Sequence, residues 1–167
     1  LAHAKISDWS TLSDQLKQLP EFTRIVFTNG CFDILHPGHV DYLRRARELG
    51  DVLVLGLNSD DSVRRIKPNA KGAPRPVNDQ NVRAYVLAHL ASVDHICIFD
   101  QDTPHELISL VQPDVLVKGG DWPVDKIVGR DIVQAKGGDV LSIPLLPGYS
   151  TTNLLEQIVQ SASKDQM

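Results

Sequence analysis

Short unbroken runs of apolar residues recur along the chain, each followed by a stretch where apolar positions return every three or four residues. The first pattern suits strands buried on both faces, and the second suits helices that cover them. Arg24–Thr28, Val52–Leu57, His95–Phe99, Val115–Val117 and Val140–Ile143 read as strands. Trp9, Leu12, Leu16 and Leu19 mark a first helix stopped by Pro20, and Pro37 to Leu49 a second, with Pro in its first turn and Gly50 beyond its end. A brief helix capped within Asn58–Asp61 runs to Arg65, and another from Asn78 places Val82, Tyr85, Val86 and Leu90 on its apolar side. Thr103–Glu106 has the spacing of a capping box with Pro104 at the first helical position, predicting a helix to about Gln112. Two more helices follow, from Arg130 to Lys136 and from about Ser150.

Strands alternating with helices imply parallel βαβ units with right-handed crossovers. The predicted fold is α/β: a Rossmann-like open parallel sheet of about five strands with helices on both faces. Residues 1–167 form one domain in this reading, with 1–20 as an N-terminal helical extension. In such sheets ligands sit beyond the carboxyl ends of the strands, near the switch in strand order. The loops after Thr28, Leu57, Phe99, Val117 and Ile143 are therefore where chemistry is expected.

The first of these loops reads Asn29-Gly-Cys-Phe-Asp-Ile-Leu-His-Pro-Gly-His39. With Pro37 in the first turn, His36 stands at the helix cap and His39 one turn in, on the same side. Both rings then flank free backbone N–H groups at the positive end of the helix dipole, a site suited to phosphate. Gly30 and Gly38 clear space for a ligand near the backbone. Competing readings are weaker. Two histidines three apart can bind a metal, but no third ligand stands at suitable spacing. Cys31 reads as a small loop-lining residue rather than a nucleophile. GxGxxG and GxxxxGK[ST] are both absent, which disfavours a dinucleotide-dependent oxidoreductase and a P-loop kinase.

Two other loops match this chemistry. Lys118-Gly-Gly-Asp121 pairs a phosphate-reaching lysine with glycines that admit a flat group, and Asp121 can bond a ribose hydroxyl. Tyr149, Ser150, Thr151 and Thr152 bring an aromatic ring and hydroxyls to another helix start. Taken singly, each also reads as an ordinary turn or cap. From Arg64 to Arg83 six basic residues face one acid, Asp79, and Lys67, Lys71, Arg75 and Arg83 become secondary candidates for phosphate or acceptor binding. A solvated basic loop explains that charge run equally well.

Composition narrows the function classes. The net charge of −4 and pI near 5.8 disfavour nucleic acid as a partner. No run of about 18 apolar residues suggests a membrane span, and the first residues lack a signal-peptide pattern. Two cysteines without metal or disulfide spacing point to the cytoplasm.

His36-Pro-Gly-His39, after a strand and opening a helix, resembles the HxGH motif of the nucleotidyltransferase superfamily. The longer Asn29–His39 string is similar to the pattern (Y/N)GxFDxxHxGH of its cytidylyltransferase-like branch. Lys118–Asp121 and Ser150–Thr152 resemble that branch's GGD and STT loops. The likeness runs from Phe22 to Gln160. Arg75-Pro-Val-Asn78, Ser92-Val-Asp94 and Asp102-Thr-Pro104 bring it nearest to the adenylyltransferases that act on heptose 1-phosphate, often found as half of a bifunctional protein. Trp122 and Tyr149 depart from the pattern of those bifunctional relatives, and no sugar-kinase half precedes this sequence, so a monofunctional form is expected.

The resemblance implies transfer of AMP from ATP to D-glycero-β-D-manno-heptose 1-phosphate. His36, His39 and Lys118 would be catalytic, and Asn29, Gly30, Cys31, Phe32, Asp33, Gly38, Gly119, Gly120, Asp121, Tyr149 and Ser150–Thr152 would bind nucleotide. Mg2+ would be held mainly by the phosphates, with Asp33 the one protein candidate. Partners would be small molecules, with a homo-oligomer as a further expectation. Alternatives are a cytidylyltransferase on glycerol 3-phosphate, an FAD-synthetase-like adenylyltransferase and, in another class, a nucleotide-binding module without turnover.

Overall fold

The structure is a computed structural model that describes residues 1–67, 74–120 and 122–164, without the side chains of the last three. Six parallel strands form one sheet: β1 (Ile6–Ser7), β2 (Ile25–Gly30), β3 (Val52–Asn58), β4 (His95–Phe99), β5 (Val115–Gly119) and β6 (Asp139–Ile143). Their spatial order is β1-β4-β3-β2-β5-β6. Around them lie α1 (Trp9–Lys17), α2 (Pro37–Arg47), α3 (Asp60–Ile66), α4 (Gln80–Ala88), α5 (His105–Val111), α6 (Arg130–Ala135) and α7 (Thr151–Lys164).

Alternation along the strands sorts the core into two layers. Val26, Leu53, Leu55, Ile96, Val115 and Val117 face Tyr42, Leu43 and Ala46 of α2 and Ala84, Leu87 and Ala88 of α4. Phe27, Val54, Cys97 and Leu116 face Leu12 of α1, Leu107, Ile108 and Val111 of α5 and Val133 of α6. Both faces of the sheet are covered, as a parallel sheet requires.

Three expectations change. The sheet has six strands, because Ile6–Ser7 pairs in parallel with Ile96–Cys97 at the sheet edge. The first 20 residues thus supply a strand as well as a helix, and Trp9 Nε1 donates to the Ile98 carbonyl at 3.0 Å. α4 buries Arg83, Ala84, Leu87 and Ala88, and Val86 points outward at 45% exposure. The Thr103–Glu106 capping box does not form: α5 starts at His105 and has no side-chain cap.

Strand order reverses at β2. The chain steps outward through β3 and β4 on one side and resumes on the other with β5 and β6. β2 pairs with β3 over its full length, from Ile25↔Val52 to Gly30↔Leu57. Against β5 it pairs only at Val26↔Val115 and Phe27↔Leu116, although both strands continue beyond. The strands therefore part at their carboxyl ends. Tyr42 of α2 fills the parting: its hydroxyl bonds the Thr28 hydroxyl and donates to the Val117 carbonyl at 3.2 Å. Burial pushes the Tyr42 phenol well up, so it stays protonated. Tyr42→Phe is expected to destabilise the protein by about 1–3 kcal/mol, since it leaves two buried polar groups partnerless; urea unfolding measures it.

Candidate active site

Where β2 and β5 separate, a cleft of about 570 Å³ opens at the carboxyl edge of the sheet. That volume lies within the range of small-ligand pockets. Its centre comes from the end of β2, the loop after it and the start of α2: Asn29, Gly30, Cys31, Phe32, Asp33, His36 and His39. One flank, from the β5–β6 side, brings Lys118, Gly119, Trp122, Leu145, Tyr149 and Ser150–Thr152. The other, from the β3–β4 side, brings Asn58, Ile66, Lys67, Arg75 and Asp102–Pro104.

His36 caps α2 in an extended conformation, with Pro37 next and no side-chain oxygen bonded to the helix start. The positive end of the helix is thus left for a ligand. The two imidazoles stack, with centroids 3.7 Å apart and planes 22° apart. Phe32 closes on His39 edge-on at 5.2 Å, and Tyr149 lies parallel to His36 at 6.5 Å. Gly38 makes the stack possible, because a Cβ there would come within 3.0 Å of His36 Nδ1.

Nδ1 of His36 and of His39 is buried and makes no hydrogen bond among the described residues. Burial, assisted by the neighbouring His36 ring, pushes His39 down to about 4, with the Ile34 carbonyl offsetting part of the shift. Burial also lowers His36. Near neutral pH both rings are uncharged. The pair lines the cleft as uncharged rings, each able to donate one hydrogen bond.

This titration has a consequence for stability. The unfolded chain takes up a proton on His39 at the ordinary value of 6.5, and the folded chain does so only near 4. Between those values the unfolded state binds more protons, so stability falls as pH is lowered from about 6.5 to about 4 and this contribution levels off below. His39→Gln is expected to flatten that part of the curve, as read by urea unfolding at stepped pH.

Lys118 faces the pair from β5. Its ammonium stands 5.9 Å from the centroid of the Trp122 ring, and it has no carboxylate partner among the described residues. Burial, with Lys67 nearby, lowers its affinity for a proton. Gly120 holds φ +104°, which lets the chain turn after the lysine, and its N–H bonds the Ile143 carbonyl at 2.8 Å. Ser150 Oγ accepts from Asn153 N at 3.0 Å, so it caps α7 while lining the cleft. Burial raises the Cys31 thiol, in keeping with a lining role rather than a nucleophilic one.

Several expected residues have other work. Arg83 does not reach the cleft: its side chain is fully buried. Its donors go to the Cys31 carbonyl at 2.7 Å, the Asn58 carbonyl at 2.9 Å, the Asn78 carbonyl at 3.0 Å and Asp60 at 2.8 Å. The carboxylate of Asp33 is occupied by Arg75 Nε and by the backbone N–H groups of Val77 and Asn78, which displaces it as a metal ligand. Gly38 and Gly120 shape the site without lining it. Lys71 and Asp121 lie outside the described residues. Sequence reading missed Tyr42, Thr103, Pro104, Lys126 and Leu145, which also line the cleft. The rule about carboxyl-end loops pointed to the 102–104 segment without naming its residues.

A model of the cytidylyltransferase-like family matches residues 27–156, which span the cleft loops on both flanks. The chain belongs to the cytidylyltransferase-like family of nucleotidyltransferases. Within that family it is 50% identical over 143 residues to the bifunctional protein HldE of Trichlorobacter lovleyi, covering 86% of this chain and 28% of that protein. It is 53% identical over 153 residues to the bifunctional protein HldE of Rhodopseudomonas palustris strain TIE-1, covering 91% and 30%. The chain thus spans under a third of the length of these curated relatives. A lipopolysaccharide core biosynthesis protein from Thermoplasma volcanium superposes with a TM-score of 0.60 at 27% identity, covering 74% of this chain and 97% of the other. Pantoate-beta-alanine ligase from Francisella tularensis shares the fold, with a TM-score of 0.57 at 14% identity, covering 83% and 66%. Among the described residues no helix is long and apolar enough to cross a membrane.

Proposed function

We propose that this cytidylyltransferase-like enzyme transfers AMP from ATP to D-glycero-β-D-manno-heptose 1-phosphate, giving ADP-heptose and pyrophosphate in the cytoplasm. One observation carries the reading: a stacked pair of neutral imidazoles at the uncapped start of α2 lines the cleft with Lys118, which has no carboxylate partner among the described residues. The likeness to the HldE proteins and to a lipopolysaccharide core biosynthesis protein supports the choice of acceptor.

A phosphate oxygen of the acceptor bonds the α-phosphorus as the bond to the α–β bridging oxygen breaks, and its electron pair leaves with pyrophosphate. A phosphate monoester is already mostly ionised at pH 7, so the nucleophile needs no general base. His36 and His39 donate hydrogen bonds to the bridging region, where negative charge grows. Lys118 meets phosphate oxygens, and Thr151 and Thr152 offer hydroxyls beside the start of α7. Among the described residues no three acidic, histidine or cysteine side chains cluster as metal ligands, and the two carboxylates lining the cleft, Asp33 and Asp102, are bonded to Arg75 and Arg65. A Mg2+ ion would therefore be held by phosphates and water and would supply charge neutralisation.

Incubation with ATP or CTP and either heptose 1-phosphate or glycerol 3-phosphate, followed by product mass and pyrophosphate release, tests the proposal. ADP-heptose from the ATP–heptose pair is expected. A CDP-linked product from glycerol 3-phosphate would replace both substrates. No pyrophosphate with any pair would leave a binding module.

A further inference from the structure

Arg75 presents an unfinished set of hydrogen bonds inside the cleft. Its side chain is nine-tenths buried, and Nε donates to Asp33 Oδ2 at 2.8 Å. Its two Nη nitrogens have no partner among the described residues, and the residue lines the cleft. Neither Nη is sealed from water, so both open onto the cleft, where an anion can replace that water. Asp33 is itself fully buried and held firmly. Its Oδ1 accepts from Val77 N at 2.7 Å and Asn78 N at 3.1 Å, and its carbonyl accepts from Asn78 Nδ2 at 2.9 Å. The guanidinium is therefore pinned along one edge with its two-pronged end free, a geometry matched to a phosphate.

Position suggests which phosphate. The loops that resemble nucleotide-binding motifs stand on the β5–β6 flank, and the imidazole pair stands at the centre. Arg75 enters from the β3–β4 flank together with Lys67. In-line displacement needs the acceptor on the opposite side of the α-phosphorus from the departing pyrophosphate. We infer that Arg75 is the clamp for the phosphate of the acceptor, a phosphomonoester, and that Asp33 is a positioning residue that aims it without touching substrate. The inference rests on the adenylyltransferase reading for the identity of the acceptor.

Steady-state kinetics of Arg75→Lys, Asp33→Asn and the double variant test it, with melting curves to confirm folding. Arg75→Lys keeps the charge and loses the fork, and the KM for heptose 1-phosphate should rise about 10- to 100-fold, the scale of one or two charged hydrogen bonds, with the KM for ATP within about twofold. Asp33→Asn should do the same, and the double variant should be no worse than Arg75→Lys alone, because Asp33 acts only through Arg75. A rise in the KM for ATP, an unchanged KM for the acceptor, or full additivity in the double variant overturns the inference. Should Asp33→Asn fail to fold, Arg75→Lys decides alone. If the wild-type enzyme does not turn over this pair, the proposed function fails. Calorimetric titration of heptose 1-phosphate into wild type and Arg75→Lys then decides the clamp separately: weaker binding to the variant supports it, and equal or absent binding to both overturns it.

Discussion

His39→Ala is expected to lower kcat about 10²- to 10³-fold, the scale for losing one donor to charge that develops in the transition state. The ring is held for that task. It lies between Phe32 and His36, its Nδ1 is buried, and its proton affinity is driven down to about 4. A charged imidazole would bind the ground-state triphosphate strongly; a neutral donor gains most as charge moves onto the bridging oxygen. The loss should therefore fall on kcat more than on the KM for ATP. Truncation also leaves a gap beside Phe32, so His39→Asn, a smaller polar side chain, serves as the comparison. Turnover near the wild-type rate in His39→Ala, with the variant folded, would remove the imidazole pair from the mechanism.

Local signals made much of this site legible. The strand, the glycines and the HPGH turn lie within fifteen residues, Ile25 to His39, where cap and dipole rules apply directly, and the structure brings both histidines to the cleft. Short apolar runs marked all five longer strands. Ile6–Ser7 escaped because two residues carry no periodicity and their pairing with Ile96–Cys97 spans 90 residues of sequence. The buried face of α4 departs from its hydrophobic pattern for a related reason. Counting hydrophobics favoured Val82, Tyr85, Val86 and Leu90, whereas the buried side centres on Arg83, whose charge is matched by groups far along the chain. Asp33 and Arg75 are 42 residues apart, so each read as a ligand on its own. Sequence spacing reports neighbours on one element; it does not report which charges neutralise each other across the fold.

Arg83→Ala is expected to destabilise the protein by about 3–5 kcal/mol, the cost of breaking a buried pair and leaving its partner uncompensated. Four acceptors lose their donor together: Asp60 and the carbonyls of Cys31, Asn58 and Asn78. These belong to the cleft loop, the end of β3, the start of α3 and the approach to α4, so one side chain ties four segments behind the active site. A domain of this size has a total stability of about 5–15 kcal/mol, so the variant should melt far below wild type. Arg83→Lys should recover little, since one ammonium cannot span bonds that Nε, Nη1 and Nη2 make in different directions. Activity lost in these variants should track unfolding. Saturating ATP, at about 100 times its Kd, should restore part of it, because binding to the folded state contributes about 2.7 kcal/mol. A direct role in holding the acceptor gives the opposite result: Arg83→Lys would melt like wild type and show a raised KM for the sugar phosphate. Thermal unfolding set beside acceptor KM separates the two, and a buried guanidinium with every edge engaged leaves only the first.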